Sequence, residues 1–356
     1  MHIAGIGVVS ACGRGVGTLE KALEAGGIHP ARKEIPSLSN ETMPVCSVGQ
    51  ETMTDKKVLK NMRRGDRFSK MAVLAAWDAV EDSGMGLDGG KGKVGIILAS
   101  AFGPQVTAFR FLDEIVDYGE ASVSPTLFSH SVHNAAASYI ASALDNRGPT
   151  LTLTQFAFSF HQALILARAW MQEGRCESVL VGTAEECGTV MEYICSRKLK
   201  ISEDGKIRSF DFSPSPSAVP GEGSVFLVVT RGDGPKRYCE IGAVSFDDDG
   251  GEHDVDLCIL DADGMSEDES CYAEIAEWDV MMAAYSPLFG SMMTGSAFHC
   301  ASAALMLMKQ TRYACPVQDN PHGVRLCTAT EQKRLERIQC IKYGCSHEKA
   351  IIELRR

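Results

Sequence analysis

The sequence has no uninterrupted apolar run of the roughly 18–20 residues that a transmembrane helix requires. It also has no excess of positive charge, since 46 acidic residues outnumber 35 basic ones and the net charge is −11. This balance argues against nucleic acid or an anionic membrane as the main partner. It does not exclude an acidic protein partner that binds a local basic patch on this chain.

A disulfide framework is missing too. The 13 cysteines are odd in number and scattered, which predicts free thiols in a reducing compartment and therefore a cytoplasmic protein. Met1 to Gly13 is apolar but lacks a basic start, so it predicts a strand and a turn rather than a signal peptide. With 45% hydrophobic and 23% charged residues, the 356-residue chain has the composition of a globular protein with a large core.

Hydrophobic periodicity predicts buried strands that alternate with amphipathic helices, mainly in the first two thirds of the chain. The predicted strands are Ile3–Ser10, Val94–Ala99, Thr150–Thr154, Val179–Gly182 and Ser224–Thr230. The predicted helices are Arg67–Ser83, Phe109–Tyr118, Asn134–Leu144, Ser159–Glu173 and Ser296–Gln310. Weaker strand patterns cover Asp254–Asp261, Asp279–Ala284 and Ala350–Leu354. This order predicts a layered α/β fold with a mostly parallel sheet.

Several segments, in the right order, resemble the β-ketoacyl synthases, the condensing enzymes of the thiolase fold. The segments are Ile3-Ala-Gly-Ile-Gly-Val-Val-Ser10, Arg64-Gly-Asp-Arg-Phe-Ser69, Ser124-Pro125, Asn134-Ala-Ala-Ala137, Arg147-Gly-Pro149, Val179-Leu-Val-Gly-Thr-Ala-Glu-Glu186, and Phe210-Asp211 with Gly221-Glu-Gly223. The resemblance is strong over residues 1–232 and faint beyond. It implies a thiolase-like αβαβα layered α/β fold, with a ketosynthase-like half at 1–232 and a shortened C-terminal half at 233–356.

These enzymes hold the growing chain as a cysteine thioester, at a strand-to-helix elbow, and use two histidines for decarboxylation and oxyanion stabilisation. Counted without gaps from Gly148-Pro149, Ala157 occupies the cysteine position. Thr294-Gly295-Ser296 matches Thr-Gly-His, so Ser296 replaces one histidine. The end of the predicted strand Asp279–Ala284 places Ala284 at the other. The resemblance therefore predicts a chain without catalytic residues, cofactor or metal.

This pattern resembles the chain-length factors, ketosynthase-like subunits of type II polyketide and aryl-polyene systems; Ser131-Val-His-Asn-Ala-Ala-Ala137 is especially similar. The resemblance implies a heterodimer with an active ketosynthase, which receives chains from an acyl carrier protein. Two residue sets follow from it. The expected chain-tunnel residues are Val106, Phe109, Phe111, Leu127 and Phe128, and the expected dimer strand comprises Leu151, Thr152, Leu153, Thr154, Gln155 and Phe156.

Other interpretations stay open at this point. A synthase without its cysteine can still decarboxylate malonyl thioesters, and a homodimeric acyl-binding scaffold would need no ketosynthase. Phe156, Phe158 and Phe160 fill a vestigial acyl site or are simple core, and the tunnel residues fit an ordinary amphipathic helix equally well. His161 and His133 are interpreted as hydrogen-bonded structural histidines.

Overall fold

A computed structural model describes residues 1–35, 41–60, 62–63, 65–85, 94–232, 237–246, 255–317 and 319–356. Arg64 and Asp254, which belong to segments singled out above, lie outside these ranges. The α-helices are α1 (Val16–Ala25), α2 (Arg67–Ser83), α3 (Gln105–Tyr118), α4 (Pro125–Ser131), α5 (Ala135–Ala143), α6 (Ser159–Gln172), α7 (Thr189–Lys198) and α8 (Ser296–Lys309).

The strands share one large sheet, apart from three short pairs. They are β1 (His2–Ser10), β2 (Gly13–Arg14), β3 (Ala31–Glu34), β4 (Thr42–Val45), β5 (Val94–Ser100), β6 (Thr150–Thr154), β7 (Ser178–Glu185), β8 (Lys200–Ile201), β9 (Ser217–Ala218), β10 (Gly223–Thr230), β11 (Cys239–Phe246), β12 (Leu257–Leu260), β13 (Met282–Ala283), β14 (Thr311–Arg312), β15 (Glu331–Gln332), β16 (Arg337–Tyr343) and β17 (Lys349–Arg355).

The large sheet runs in the order β13-β12-β16-β17-β11-β1-β10-β7-β5-β6, with β2 beside β1. Its two ends are parallel, since β5 pairs with β6 and β7, and β12 pairs with β13 and β16. All pairings from β16 through β17, β11, β1 and β10 to β7 are antiparallel. The prediction of a mostly parallel sheet is therefore wrong. Fully buried strands show unbroken apolar runs whatever their direction, so periodicity cannot give the direction of a strand.

Five layers follow from the packing of this sheet. Helices α6 and α8 share one apolar core with strands from both halves of the sequence. The opposite faces of the N-terminal strands pack on α2 and α5. The opposite faces of the C-terminal strands pack on a 3-10 segment, Ser270–Glu277, and on Phe210 and Phe212. The outer layer of the second half is thus thinner than that of the first. The predicted boundary at residue 232 stays a prediction.

Helix α2 lies against β1 at a distance that only glycine permits. A Cβ atom on Gly7 would stand 1.9 Å from the carbonyl oxygen of Ala75, and one on Gly5 would stand 2.2 Å from that of Ala79. The side chain of Asp66 caps the helix by accepting a hydrogen bond from the Ser69 amide at 2.7 Å. The predicted bounds of this helix are confirmed.

No helix in the described ranges has the length and apolar character needed to cross a lipid bilayer.

The second half departs from its predicted elements. The strand predicted for Asp279–Ala284 is reduced to β13, Met282–Ala283, and β11 and β16 were not predicted at all. Strand β16 contains Gln339 and Lys342 among its apolar residues, both buried. Polar side chains that are buried with a distant partner break the apolar pattern on which strand prediction depends.

Candidate functional site: a strand-to-helix elbow without a nucleophile

The chain forms the expected elbow where β6 ends at Thr154 and α6 begins at Ser159. Ala157 lies in this turn, buried at 8% exposure, and packs in a small cluster with Phe158, Phe246 and Ala350. A helix N-terminus lowers the pKa of a thiol placed beside it, which makes such an elbow suitable for a nucleophile. A methyl group at this point cannot form a thioester.

Aromatic rings fill the space around the elbow. The ring of Phe158 lies 5.4 Å from that of Phe246 and 5.6 Å from that of His161, edge to face in both cases. On the remaining side is the turn at Gly344, where a Cβ atom would come within 2.8 Å of the Phe158 ring. Phe160 is buried in the central core, whereas Phe156 is 60% exposed and packs on Phe102. Of the three phenylalanines, Phe158 and Phe160 are therefore core, and Phe156 is surface.

Beside the elbow lies a buried cluster of polar side chains centred on Asp261, the residue that follows β12. The hydroxyl of Ser296, at the start of α8, donates to Asp261 Oδ2 at 2.6 Å. Lys342 Nζ, from β16, contacts the same oxygen at 3.1 Å, and both charged side chains are at most 3% exposed. Burial opposes the charge of Asp261, but Lys342 and Ser296 hold its pKa below the ordinary value.

His299 completes this cluster from the next turn of α8. Its Nε2 atom accepts the amide hydrogen of Tyr285 at 3.3 Å, which leaves the proton on Nδ1, 3.6 Å from Asp261 Oδ1. Burial lowers the pKa of His299 to about 4, so the ring is neutral at pH 7. The positive charge opposite Asp261 is therefore that of Lys342.

His161 and His133 differ from their common interpretation as hydrogen-bonded structural histidines. His161 is buried, but neither ring nitrogen has a hydrogen-bond partner in the described part of the chain. Burial, and then the charge of Lys342, lowers its pKa to about 3, so it too is neutral. His133 is exposed and lies against Gly103.

The position predicted for the second histidine, Ala284, is buried just after β13. Its amide contacts Cys315 Sγ at 3.4 Å. The strand end that contacts Ser296 is that of β12, which carries Asp261. Sequence reasoning missed Asp261 and Lys342. Asp261 is the last residue of the strand predicted for Asp254–Asp261, and a carboxylate at a strand end is a usable signal. Lys342 lies on β16, which was not predicted.

Two further acids stand next to this cluster on the segment after β12. Asp263 accepts the amides of Met265 and Met292, and Glu269 accepts that of Gly264. Burial raises the pKa of Asp263 to about 7 and that of Glu269 to about 8. The site thus holds paired or protonated acids with neutral histidines. In the described residues no group of three His, Cys, Asp or Glu side chains is arranged to hold a metal ion.

The predicted dimer strand is the edge of the large sheet, since among the described strands β6 is hydrogen-bonded to β5 alone. Leu151, Thr154, Gln155 and Phe156 are exposed, and Thr152 and Leu153 are partly so. Such an edge presents unpaired backbone groups to another strand.

The predicted tunnel residues lie on α3 and α4, which pack against each other. On α3, Phe109 is exposed, whereas Phe111 turns toward Phe128 of α4, with ring centroids 5.4 Å apart. Leu127 and Val106 are half-buried, and Val106 lies against Gly188. The structure describes this surface, and its role as a tunnel wall stays a prediction.

The model of the β-ketoacyl synthase N-terminal domain matches residues 2–233. The chain belongs to the β-ketoacyl synthase family. Among curated proteins it is similar to 3-oxoacyl-[acyl-carrier-protein] synthase 2 of Staphylococcus aureus (strain N315), with 26% identity over 256 residues. That match covers 67% of this chain but 60% of the relative, so it spans less than two thirds of the relative's length.

Solved structures confirm the thiolase-like α/β fold of this β-ketoacyl synthase relative. A β-ketoacyl synthase from Burkholderia phymatum STM815 superposes with a TM-score of 0.83 at 17% identity, covering 100% of this chain and 98% of the other. The ishigamide ketosynthase/chain length factor superposes with a TM-score of 0.79 at 16% identity, covering 99% and 98%. At such identities the likeness establishes the fold.

Proposed function

We propose that this β-ketoacyl synthase relative is a catalytically inactive subunit of the chain-length-factor type, which pairs with an active ketosynthase and forms one wall of its chain tunnel. The observation that carries the proposal is Ala157 at the elbow, because the covalent step of the family needs a sulfur atom there. Two contacts add support: the Asp261 carboxylate is paired with Lys342, and the Nε2 atom of His299 accepts the Tyr285 amide, so neither group is free to act as an acid or base in decarboxylation.

Exposed apolar side chains on α3 and α4 support a partner chain, and the packing of Phe156 on Phe102 links the segment before α3 to the end of β6. Phe109, Leu112 and Val116 follow one another on α3 at helical spacing and are 48%, 51% and 83% exposed. Phe128 and Phe156 extend the same kind of surface. Large exposed apolar side chains next to an open sheet edge are typical of a protein interface rather than of a monomer.

The partner should be a second chain of the same fold that adds its own edge strand to β6. One of the similar structures is named a ketosynthase/chain length factor, and the S. aureus relative is named for an acyl carrier protein. We infer that the ketosynthase supplies the nucleophile and histidines, and that the acyl carrier protein delivers chains to the complex. A homodimer of this chain would contain no nucleophile.

Co-purification with the ketosynthase encoded nearest to this chain's gene tests the pairing. Leu151→Lys should abolish the complex, because it places a charge at the proposed strand pair; Ser346→Lys, on an exposed loop, is the matched control. Both variants should show the same circular dichroism and melting curve. A complex that survives Leu151→Lys unchanged contradicts the proposed interface.

Inactivity is tested on the purified chain alone. Incubation with radiolabelled acyl or malonyl carrier protein should give neither covalent label nor carbon dioxide. Covalent label would overturn the proposal, and carbon dioxide release without label would favour a priming decarboxylase instead. A stable complex of two copies of this chain that excludes the ketosynthase would favour a homodimeric scaffold.

A further inference from the structure

A groove on the outer helix layer is not used by the proposed function. It runs between α2 and α5 and has two compartments, which share Trp77 and Ala143 as their common wall. The first has a volume of about 120 Å³ and the second about 460 Å³. Together they fall within the range of sites that bind small molecules, which is about 300–1,000 Å³.

The first compartment is cationic and aromatic. Lys57 and Lys60 stand at its rim, both exposed, with Trp77 and Tyr139 as its walls. Lys57 Nζ lies 5.5 Å from the centroid of the Trp77 ring. Two ammonium groups beside a flat apolar wall favour an anionic group, in a chain whose overall charge is strongly negative.

The second compartment has the opposite character. Val80, Met85 and Leu144 line it, and so do two acids, Glu81 and Asp145, neither of which lines the first compartment. An aliphatic or flat apolar body fits this space. The two carboxylates repel a second negative charge at the end of the ligand.

We propose that this groove binds a monoanionic amphiphile, a small carboxylate with one apolar tail. The carboxylate contacts Lys57 and Lys60, and the tail crosses Trp77 into the second compartment. The lysines provide charge complementarity and the acids provide selectivity against a dicarboxylate. The site uses none of the residues assigned to the tunnel, the elbow or the dimer strand, so it stands whether or not the proposed function does.

Three ligands of equal chain length test the charge requirement by calorimetric titration of the full-length chain. Ligand concentrations reach about 10 mM, because a ligand with so few atoms can bind only weakly. Hexanoate should bind saturably, whereas adipate and 1-hexanol should each bind about tenfold more weakly or not at all. Quenching of tryptophan fluorescence should accompany hexanoate binding and disappear in Trp77→Phe.

Matched variants test the location. The double variant Lys57→Gln/Lys60→Gln should weaken hexanoate binding by about tenfold. Lys56→Gln, an exposed neighbour that does not line the groove, should leave it unchanged. Equal binding of hexanoate and 1-hexanol, adipate binding as tight as hexanoate, insensitivity to the double lysine variant, or absence of saturable binding would each overturn the proposal.

Discussion

At the scale of single residues, the proposed loss of catalysis involves more than the alanine in the elbow. Ala157 is enclosed by aromatic rings, and the neighbouring carboxylate of Asp261 is tied to Lys342 and Ser296. If Ser296 and Ala284 stand at the two histidine positions, as proposed, a nucleophile restored at residue 157 would lack the histidines that the family uses. The proposed loss is then distributed over several side chains.

Ala157→Cys should consequently fail to restore condensation. Purified variant, acyl carrier protein and malonyl carrier protein should yield no β-ketoacyl product above the level of the parent chain by mass spectrometry. A thiol that becomes acylated without condensation is compatible with this expectation, since acylation needs only the thiolate. Condensation by this single variant would show that the remaining machinery is intact.

The Asp261–Lys342 pair is expected to be a strong structural contact. Asp261→Asn leaves the ammonium of Lys342 buried without its counter-ion and should lower the free energy of unfolding by about 3–5 kcal/mol. Lys342→Met should lower the free energy of unfolding by a similar amount, because it leaves the Asp261 carboxylate buried without a counter-ion.

The double variant Asp261→Asn/Lys342→Met should be clearly more stable than the sum of the single losses, by at least about 1 kcal/mol. Urea denaturation of the parent and the three variants gives this coupling energy. Strict additivity would mean that the two groups do not interact in the folded state.

At the scale of elements, β6 and α3 are the ones that the proposal assigns to the contact with a partner chain. Edge strand β6 carries an open row of backbone groups, and α3 presents a stripe of exposed apolar residues. If α3 forms one wall of a chain tunnel, tunnel depth depends on side-chain volume by steric exclusion alone.

Phe109→Trp or Phe111→Trp should then shorten the product of the reconstituted complex, because a larger ring blocks extension earlier. Val116→Leu, further along the same helix and 83% exposed, serves as a control for substitutions on α3. Product lengths are compared by mass spectrometry. If product length is unchanged for every substitution of the proposed tunnel residues on α3 and α4, this chain does not form a wall of the tunnel.

At the scale of the whole molecule, the buried titratable groups make stability depend on pH in a predictable direction. Burial raises the pKa values of Asp263 and Glu269 to about 7 and about 8, so the folded state keeps protons that the unfolded state releases. Their stabilising contribution is complete below the ordinary carboxyl pKa and is lost as pH rises through these values. Burial lowers the pKa values of His161 and His299 to about 3 and about 4, so their contribution is complete above the ordinary histidine pKa of about 6.5 and is lost as pH falls through the lowered values.

Between pH 6.5 and 8.5 the carboxyl groups with raised pKa values titrate; besides Asp263 and Glu269 these include Glu185, with a pKa of about 7, and Glu186, with a pKa of about 8. The free energy of unfolding should therefore fall as pH rises. Glu269→Gln should reduce this fall, because an amide keeps the contact with the Gly264 amide without titrating. Denaturant titrations at the two pH values measure both effects. A stability that increases from pH 6.5 to 8.5 would contradict the protonated state of these acids.

Sequence alone sufficed for features that depend on neighbours along the chain. Helix α2 could be predicted to the residue, because its apolar stripe, its cap at Asp66 and its stop at Gly84 lie within one segment. The alanine at the elbow could be located by counting, because the strand, turn and helix follow one another directly. Family membership follows from motifs in a set order and does not require contacts to be known.

Only the tertiary structure determined what surrounds the elbow. Asp261 and Lys342 are 81 positions apart, and the strand that carries Lys342 has no clear apolar pattern. The direction of the central strands and the exposure of Phe156 could not be predicted from the sequence either. Each depends on which distant segment packs alongside, and local hydrophobic periodicity carries no information about that choice.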